Sequence, residues 1–219
     1  MTRLVTTALA LWGASVWGAL GLGSHKVDFD GLRAGSAPPN WVFERARWQV
    51  RLDPTAPSRP NVLQLSPDLS PERHPSIALF NPVVCQDGDV TVKFRIGTSS
   101  ASKTAGIVWR YRDASNYYLL DFSADSKNVA LYRIKDGISE RVPIPGPRTG
   151  VGGFHHELRA GQWYVARVIF RGASISVLLG NRKLFETWDS GLQTAGRTGV
   201  STRNGASASF DDFRIEKRT

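Results

Sequence analysis

Between Thr104 and Phe122 the chain reads TAGIVWRYRDASNYYLLDF. Two apolar runs of period two surround four turn-forming residues, a pattern that fits an antiparallel hairpin and little else. Side chains alternate across a strand, so Ile107, Trp109 and Tyr111 fall on one side while Gly106, Val108, Arg110 and Arg112 fall on the other. After the turn, Tyr118, Leu120 and Phe122 oppose Tyr117, Leu119 and Asp121. Asp113, Ser115 and Asn116 suit the turn because their short polar side chains bond to nearby backbone. One face of this hairpin therefore reads as core, and the other carries aromatic and charged groups, with Arg110, Arg112, Tyr117 and Asp121 together on it.

The same period recurs along the chain. Val90, Val92, Phe94 and Ile96 alternate with Thr91, Lys93 and Arg95, which predicts a half-buried strand. Further strands are expected over Val27 to Asp30, over Trp41 to Arg51 with a bulge near Ala46, and over Val62 to Leu65 and Ser76 to Phe80. Others follow over Asn128 to Lys135, Trp163 to Phe170, Ser174 to Leu179, Lys183 to Trp188, Gly196 to Thr202 and Ala208 to Glu216. The Asp136-Gly137 pair and Gly180 with Asn181 are hairpin signals. Proline-rich stretches near residues 53–60, 67–75 and 143–153 cannot be ladder, because proline lacks the N–H donor. No helical period persists over ten residues. A chain of 219 residues with roughly a dozen strands at such spacing predicts one all-β sandwich or barrel.

The first residues stand apart. Met1 to Arg3 is a short basic start, Leu4 to Leu20 is apolar, and Ala19, Leu20 and Gly21 offer the small residues that a signal peptidase needs. A membrane anchor fits less well, since the run is near the short limit of about 17 residues for a span and lacks a basic stop beyond it. Residues 1–23 are thus expected to be a signal peptide cleaved near residues 21–23, residues 24–219 a single domain, and the protein secreted or periplasmic. Lysine and arginine number 28 against 19 acidic residues, a formal charge of +9. That balance favours anionic surfaces such as acidic polysaccharide, lipopolysaccharide or phospholipid head groups, and solubility alone accounts for it equally well. Cys85 is the only cysteine, so no internal disulfide forms, and the fold must be held by its packed core.

Taken in order, the stretches AGIVWRYRDASNYY, NVALYRIKDG, AGQWYVARVIFRG, VLLGNRKLFE and GRTGVSTRNGASASFDDFRI resemble the concanavalin A-like lectin/glucanase superfamily. More narrowly they are similar to the laminin G-like and 3-keto-disaccharide-hydrolase-like domains of exported bacterial proteins. The resemblance runs from Val27 to Ile215. It implies a jelly roll of two curved antiparallel sheets, with the terminal strands adjacent and ligands on the concave sheet. The strand Ala-Gly-Ile-Val-Trp-Arg at residues 105–110 is similar to one whose arginine faces the concave side in the family, which implies that role for Arg110. In those relatives the position of Asp121 is often basic. The superfamily hosts lectins, hydrolases and inert adhesion modules alike, so activity must be argued from a site.

Catalysis of glycoside hydrolysis needs two carboxyl groups about 5–9.5 Å apart. The Glu-x-Asp-x-x-Glu motif of the superfamily's laminarinase-type enzymes does not occur in this chain. The close acidic pairs, Asp28 with Asp30, Asp87 with Asp89, and Asp211 with Asp212, lie near chain ends or bracket a turn glycine and read as structural. His155 and His156 are adjacent, and adjacent strand residues point to opposite faces, which argues against a shared ion; His156 is the one that a groove would recruit. No nucleophile elbow, phosphate loop or dinucleotide fingerprint is present. Cys85 reads as a small buried hydrophobe. Trp109, Tyr111, Trp163, Trp188 and Phe210 read as core, and Tyr117 as the better sugar platform. No cofactor or metal site is expected. The resemblance leaves room for calcium, yet no cluster of acidic and carbonyl ligands stands out.

These readings converge on a non-catalytic domain that binds poly- or oligosaccharide, acidic saccharide included, through Arg110, Arg112, Tyr117, Asp121, Arg133 and His156. Planar guanidinium groups can make paired bonds to hydroxyls, carboxylates or sulfates. Two alternatives stand beside it. One is a hydrolase or lyase acting on modified sugars of the 3-keto-glycoside type, with Asp121 or His156 as acid/base and Arg110 polarising a carbonyl. The other is a structural module that packs against a partner chain, which a contiguous apolar patch on the concave sheet would favour. No nucleic acid and no membrane span after cleavage are expected.

Overall fold

Short alternating runs bury one side of each strand, so they must pair edge to edge and then stack. In the computed structural model, which describes residues 23–65, 74–98, 102–147, 152–203 and 205–218, they do so as sixteen strands in two antiparallel eight-stranded sheets. There is no helix among the described residues. The signal-peptide reading of residues 1–23 falls almost wholly outside them.

The first sheet runs β14 (Arg182–Trp188), β13 (Ser174–Leu179), β12 (Trp163–Arg171), β6 (Asp87–Ile96), β16 (Ala208–Arg218), β4 (Asn61–Leu65), β3 (Trp48–Leu52), with β1 (Ser24–Val27) also on β16. The second runs β10 (Ile138–Arg141), β9 (Asn128–Lys135), β8 (Asn116–Ser123), β7 (Thr104–Asp113), β15 (Gly196–Thr202), β5 (Ser76–Cys85), β2 (Trp41–Glu44), with β11 (Phe154–His155) on β9. The two ends of the domain meet, Val27 opposite Phe213.

Aromatic rings from both sheets fill the space between them. Phe94 of β6 meets Phe122 of β8 at 4.7 Å between centroids, and Trp109 of β7 stacks on Tyr118 at 5.3 Å and on Phe170 of β12 at 5.9 Å. Burying each such ring stabilises the fold by about 1.5–3 kcal/mol, which suffices without any cross-link. Cys85 is buried in this core, and its burial pushes the thiol up to about 11.

Two expectations about strands are corrected. Trp41 to Arg51 is not one bulged strand: β2 joins the second sheet and β3 the first, and the chain crosses between them at Arg45, in the left-handed region with φ 68°. The first strand ends at Val27 rather than Asp30, because Phe29 turns the chain (φ 65°) and the Asp30 amide donates to the Asp28 carboxylate at 3.2 Å.

The second sheet is apolar on both faces. On the face turned away from the core, Ile77, Leu79, Val108, Tyr111, Tyr117, Leu119 and Ile134 form a separate buried cluster with Tyr132 packed against it. That face positions the site.

Candidate functional site

Along β8, residues Tyr117, Leu119, Asp121 and Ser123 point away from the core, and their partners on β9 are Ile134, Tyr132, Ala130 and Asn128. Two clefts lie over this face. One, of about 330 Å³, is polar and is lined by Thr104, Asp121, Ser123, Asn128, Arg141 and Arg203 among others. The other, of about 390 Å³, lies over Tyr117, Leu119 and Ile134 and is rimmed by Arg45, His74 and Arg203. Tyr132 and Arg203 line both, so the two halves form one groove.

Asp121 is its buried charge, only 5% exposed. Arg203, carried on the loop that follows β15, donates from Nη1 to Asp121 Oδ2 at 3.2 Å. Burial outweighs that contact, and the Asp121 carboxyl is pushed up to about 6 against the pull of Arg203 and Arg141. At Arg203 burial works against the charge too, but Asp121 and the Tyr132 hydroxyl more than offset it and hold the guanidinium above its ordinary value. Tyr132 carries two cations: Arg141 lies 5.2 Å and Arg203 5.3 Å from its ring centroid, and Arg141 donates to its hydroxyl at 2.8 Å. Small residues make room beneath. A Cβ on Gly106, opposite Asp121 in the sheet, would stand 2.4 Å from Ser201 Oγ.

Of the six residues singled out from sequence, the structure brings Tyr117 and Asp121 into this groove and sends the others elsewhere. Arg110 is the chief correction. The ladder between β7 and β8 shifts after Trp109, Arg110 adopts φ 49°, and its side chain turns inward, 1% exposed. There it donates to the carbonyls of Gln86, Leu192 and Gly172, each at 2.7 Å, and to Asp87 at 3.2 Å. Tyr111, read as core, takes the outward position instead, 5.3 Å from Tyr117. Arg110 thus leaves the face that alternation assigned it with Asp121, and Arg203 pairs with Asp121 there. Arg112 is exposed at the hairpin end.

Arg133 lies on the opposite face of β9 from Tyr132 and pairs with Asp189 and Glu140. His156 sits beyond β11, its amide bonded to the Lys127 carbonyl, and lines neither half of the groove; burial and the charges of Arg182 and His155 hold its pKa below the ordinary value. Trp188 and Trp163 also depart from the core reading: Trp188 is 68% exposed, and Trp163 lies under the Arg95 guanidinium at 5.3 Å.

The close acidic pairs all have structural partners. Asp87 accepts the Gly172 amide at 2.8 Å, Asp89 holds Arg167 and Arg218, Asp211 accepts the amide and hydroxyl of Ser58, and Asp212 binds Lys26 and Lys93. Among the described residues no group of three or more His, Cys, Asp or Glu could hold a metal ion.

Tyr132, Arg141, Arg45 and Arg203 were not singled out from sequence. Alternation over Asn128 to Lys135 places Tyr132 with Ile134 and opposite Leu119, so its face was readable. Arg203 lies 82 residues from Asp121, and nothing in the spacing joins them.

The fold is similar to those of known solved structures. Over 81% of this chain and 96% of the other, it is similar to the carbohydrate binding module CBM66 from Bacillus subtilis, with a TM-score of 0.65 at 16% identity. The cellulose induced protein Cip1 matches 89% of this chain and 97% of its own, with a TM-score of 0.60 at 16% identity. A Bacillus subtilis protein of unknown function with a galectin-like fold matches 82% and 91%, with a TM-score of 0.54 at 13% identity. This chain folds as an all-β sandwich of two antiparallel sheets. No family model and no curated protein matches the sequence. Within this sandwich, the groove belongs to the sheet formed by β10, β9, β8, β7, β15, β5 and β2.

Proposed function

We propose that this protein is a secreted or periplasmic, non-catalytic domain that binds poly- or oligosaccharide in the groove over the outer face of the second sheet. The observation that carries the reading is the join of the two clefts at Tyr132 and Arg203. A buried carboxylate, guanidinium groups, serine hydroxyls and an asparagine stand at one end, and tyrosine rings at the other. Sugars present hydroxyls at their edges and apolar C–H groups on their faces, and such a groove meets both. The likeness to a carbohydrate binding module adds support. Affinity electrophoresis against a panel of neutral and acidic polysaccharides tests it. Retardation by at least one polymer, reduced by Tyr132→Ala, is the expected result, and free migration in every gel overturns the proposal.

A hydrolase or lyase reading has one observation in its favour, the Asp121 carboxyl pushed up to about 6, where an acid can exchange a proton near neutral pH. Arg110 cannot assist it, being committed to three carbonyls and Asp87. Turnover of 3-keto-glycosides that is lost in Asp121→Asn would establish this activity. Absence of turnover in the unaltered protein rejects it.

A further inference from the structure

The aromatic half of the groove differs from the polar half in its charge. Tyr117, Leu119 and Ile134 form a floor of low exposure, 4%, 3% and 7%. Arg45 and Arg203 stand at its rim, and among the described residues no carboxylate lines it. Asp121 and Asp125 both belong to the polar half, where Asp121 is engaged by Arg203 and Asp125 by Lys103. The left-handed turn at Arg45 that carries the chain between sheets sets this exposed side chain over the second sheet, and Arg45 forms no ion pair among the described residues.

Both guanidinium groups act on one point. The Tyr117 hydroxyl is held above its ordinary pKa by burial, and the charges of Arg45 and Arg203 both oppose that rise. Arg203 shares its charge with Asp121, while Arg45 adds a positive charge beside the apolar floor that no carboxylate lining it among the described residues offsets. A neutral sugar could pack against the half-buried Tyr132 ring but would leave Arg45 without an anionic partner. A sugar bearing a carboxylate or sulfate could stack and also accept charge-assisted, forked hydrogen bonds.

We propose, resting on the saccharide-binding reading above, that this groove selects anionic saccharide, with the carboxylate or sulfate seated between Arg45 and Arg203 above Tyr117. The shared chemistry is a planar or tetrahedral oxyanion on a sugar ring.

The test uses the full chain in affinity electrophoresis with polygalacturonate, its methyl-esterified form, dextran sulfate, dextran and single-stranded DNA. Arg45→Ala, Arg45→Lys and Lys183→Ala are compared with the unaltered protein. Lys183 lies on β14 of the other sheet, so its removal changes net charge equally without touching the groove. Polygalacturonate or dextran sulfate should retard the protein more than its neutral counterpart, and which of the two does so separates carboxylate from sulfate recognition. Arg45→Ala should weaken retention roughly fivefold, the upper range for one exposed ion pair. Arg45→Lys should keep most of it, Lys183→Ala should change little, and high salt should weaken binding by screening. Equal retention on charged and neutral polymers overturns the anionic preference and leaves the saccharide reading standing. An equal effect of Lys183→Ala and Arg45→Ala, or equal retention on single-stranded DNA, overturns it as well. No retention on any polysaccharide removes both.

Discussion

Asp121 and Arg203, distant in sequence, meet on the outer face of the second sheet with 3.2 Å between Oδ2 and Nη1, the carboxylate buried and the guanidinium side chain 33% exposed. Partial exposure of the cation limits what it can offset, so burial dominates at the carboxylate. The chain retains a destabilised charge in the polar half of its groove.

The consequence for stability has a definite sign. The folded Asp121 carboxyl is pushed up from 3.8 to about 6, so between those values the folded state holds a proton that the unfolded state has released. Stability therefore falls as pH rises through that window and levels off above it. Thermal melts from acid to neutral pH should show the unaltered protein losing ground against Asp121→Asn as pH rises, because asparagine carries no charge to bury. Parallel profiles would show that Asp121 ionises freely.

Arg110 should prove a stability residue rather than a ligand contact. Arg110→Ala removes the donor from the buried Leu192 carbonyl and the part-buried Gln86 and Gly172 carbonyls and empties the volume of a buried side chain, at a cost of roughly 3 kcal/mol. Lysine cannot reproduce a fork that reaches three directions. Denaturant titrations should give a large midpoint drop for Arg110→Ala and little recovery for Arg110→Lys. A drop below about 1 kcal/mol would contradict the buried role.

Gly196 is where β15 passes the Arg110 bulge. A Cβ there would lie 2.3 Å from the Arg110 carbonyl carbon and 2.6 Å from the Tyr111 amide, both backbone atoms that cannot swing aside. Gly196→Ala should cost about 2–3 kcal/mol through forced backbone shifts. Gly31→Ala, with nothing within 4 Å of the added carbon, should be near neutral. Equal melting temperatures for the two variants would contradict the tight passage.

Cys85, 1% exposed with its thiol pushed up to about 11, should resist a thiol-reactive dye at pH 8 in the native state. It should react fully on unfolding. Rapid native labelling would place it outside the core.

The sequence by itself determined the period of each strand, and with it the division of β8 and β9 into a core side and an outer side, because alternation is a property of the extended backbone. Tyr117 and Asp121 were legible on the outer face for that reason, and the all-β sandwich followed from many such strands between turns. Tertiary structure decided the rest. A single register shift at Arg110 exchanged the sides of Arg110 and Tyr111, since one residue is half the strand period. The change of sheet between Glu44 and Trp48 occurs where alternation breaks, and a local pattern cannot distinguish a bulge from a crossing. Arg45 and Arg203 reach the groove from the ends of β2 and β15, strands far from β8 in sequence that long-range pairing brings into the same sheet. Their charges became neighbours only through that packing, and so did the environment that raises the Asp121 carboxyl, since burial belongs to the assembled sheet and not to any stretch of the chain.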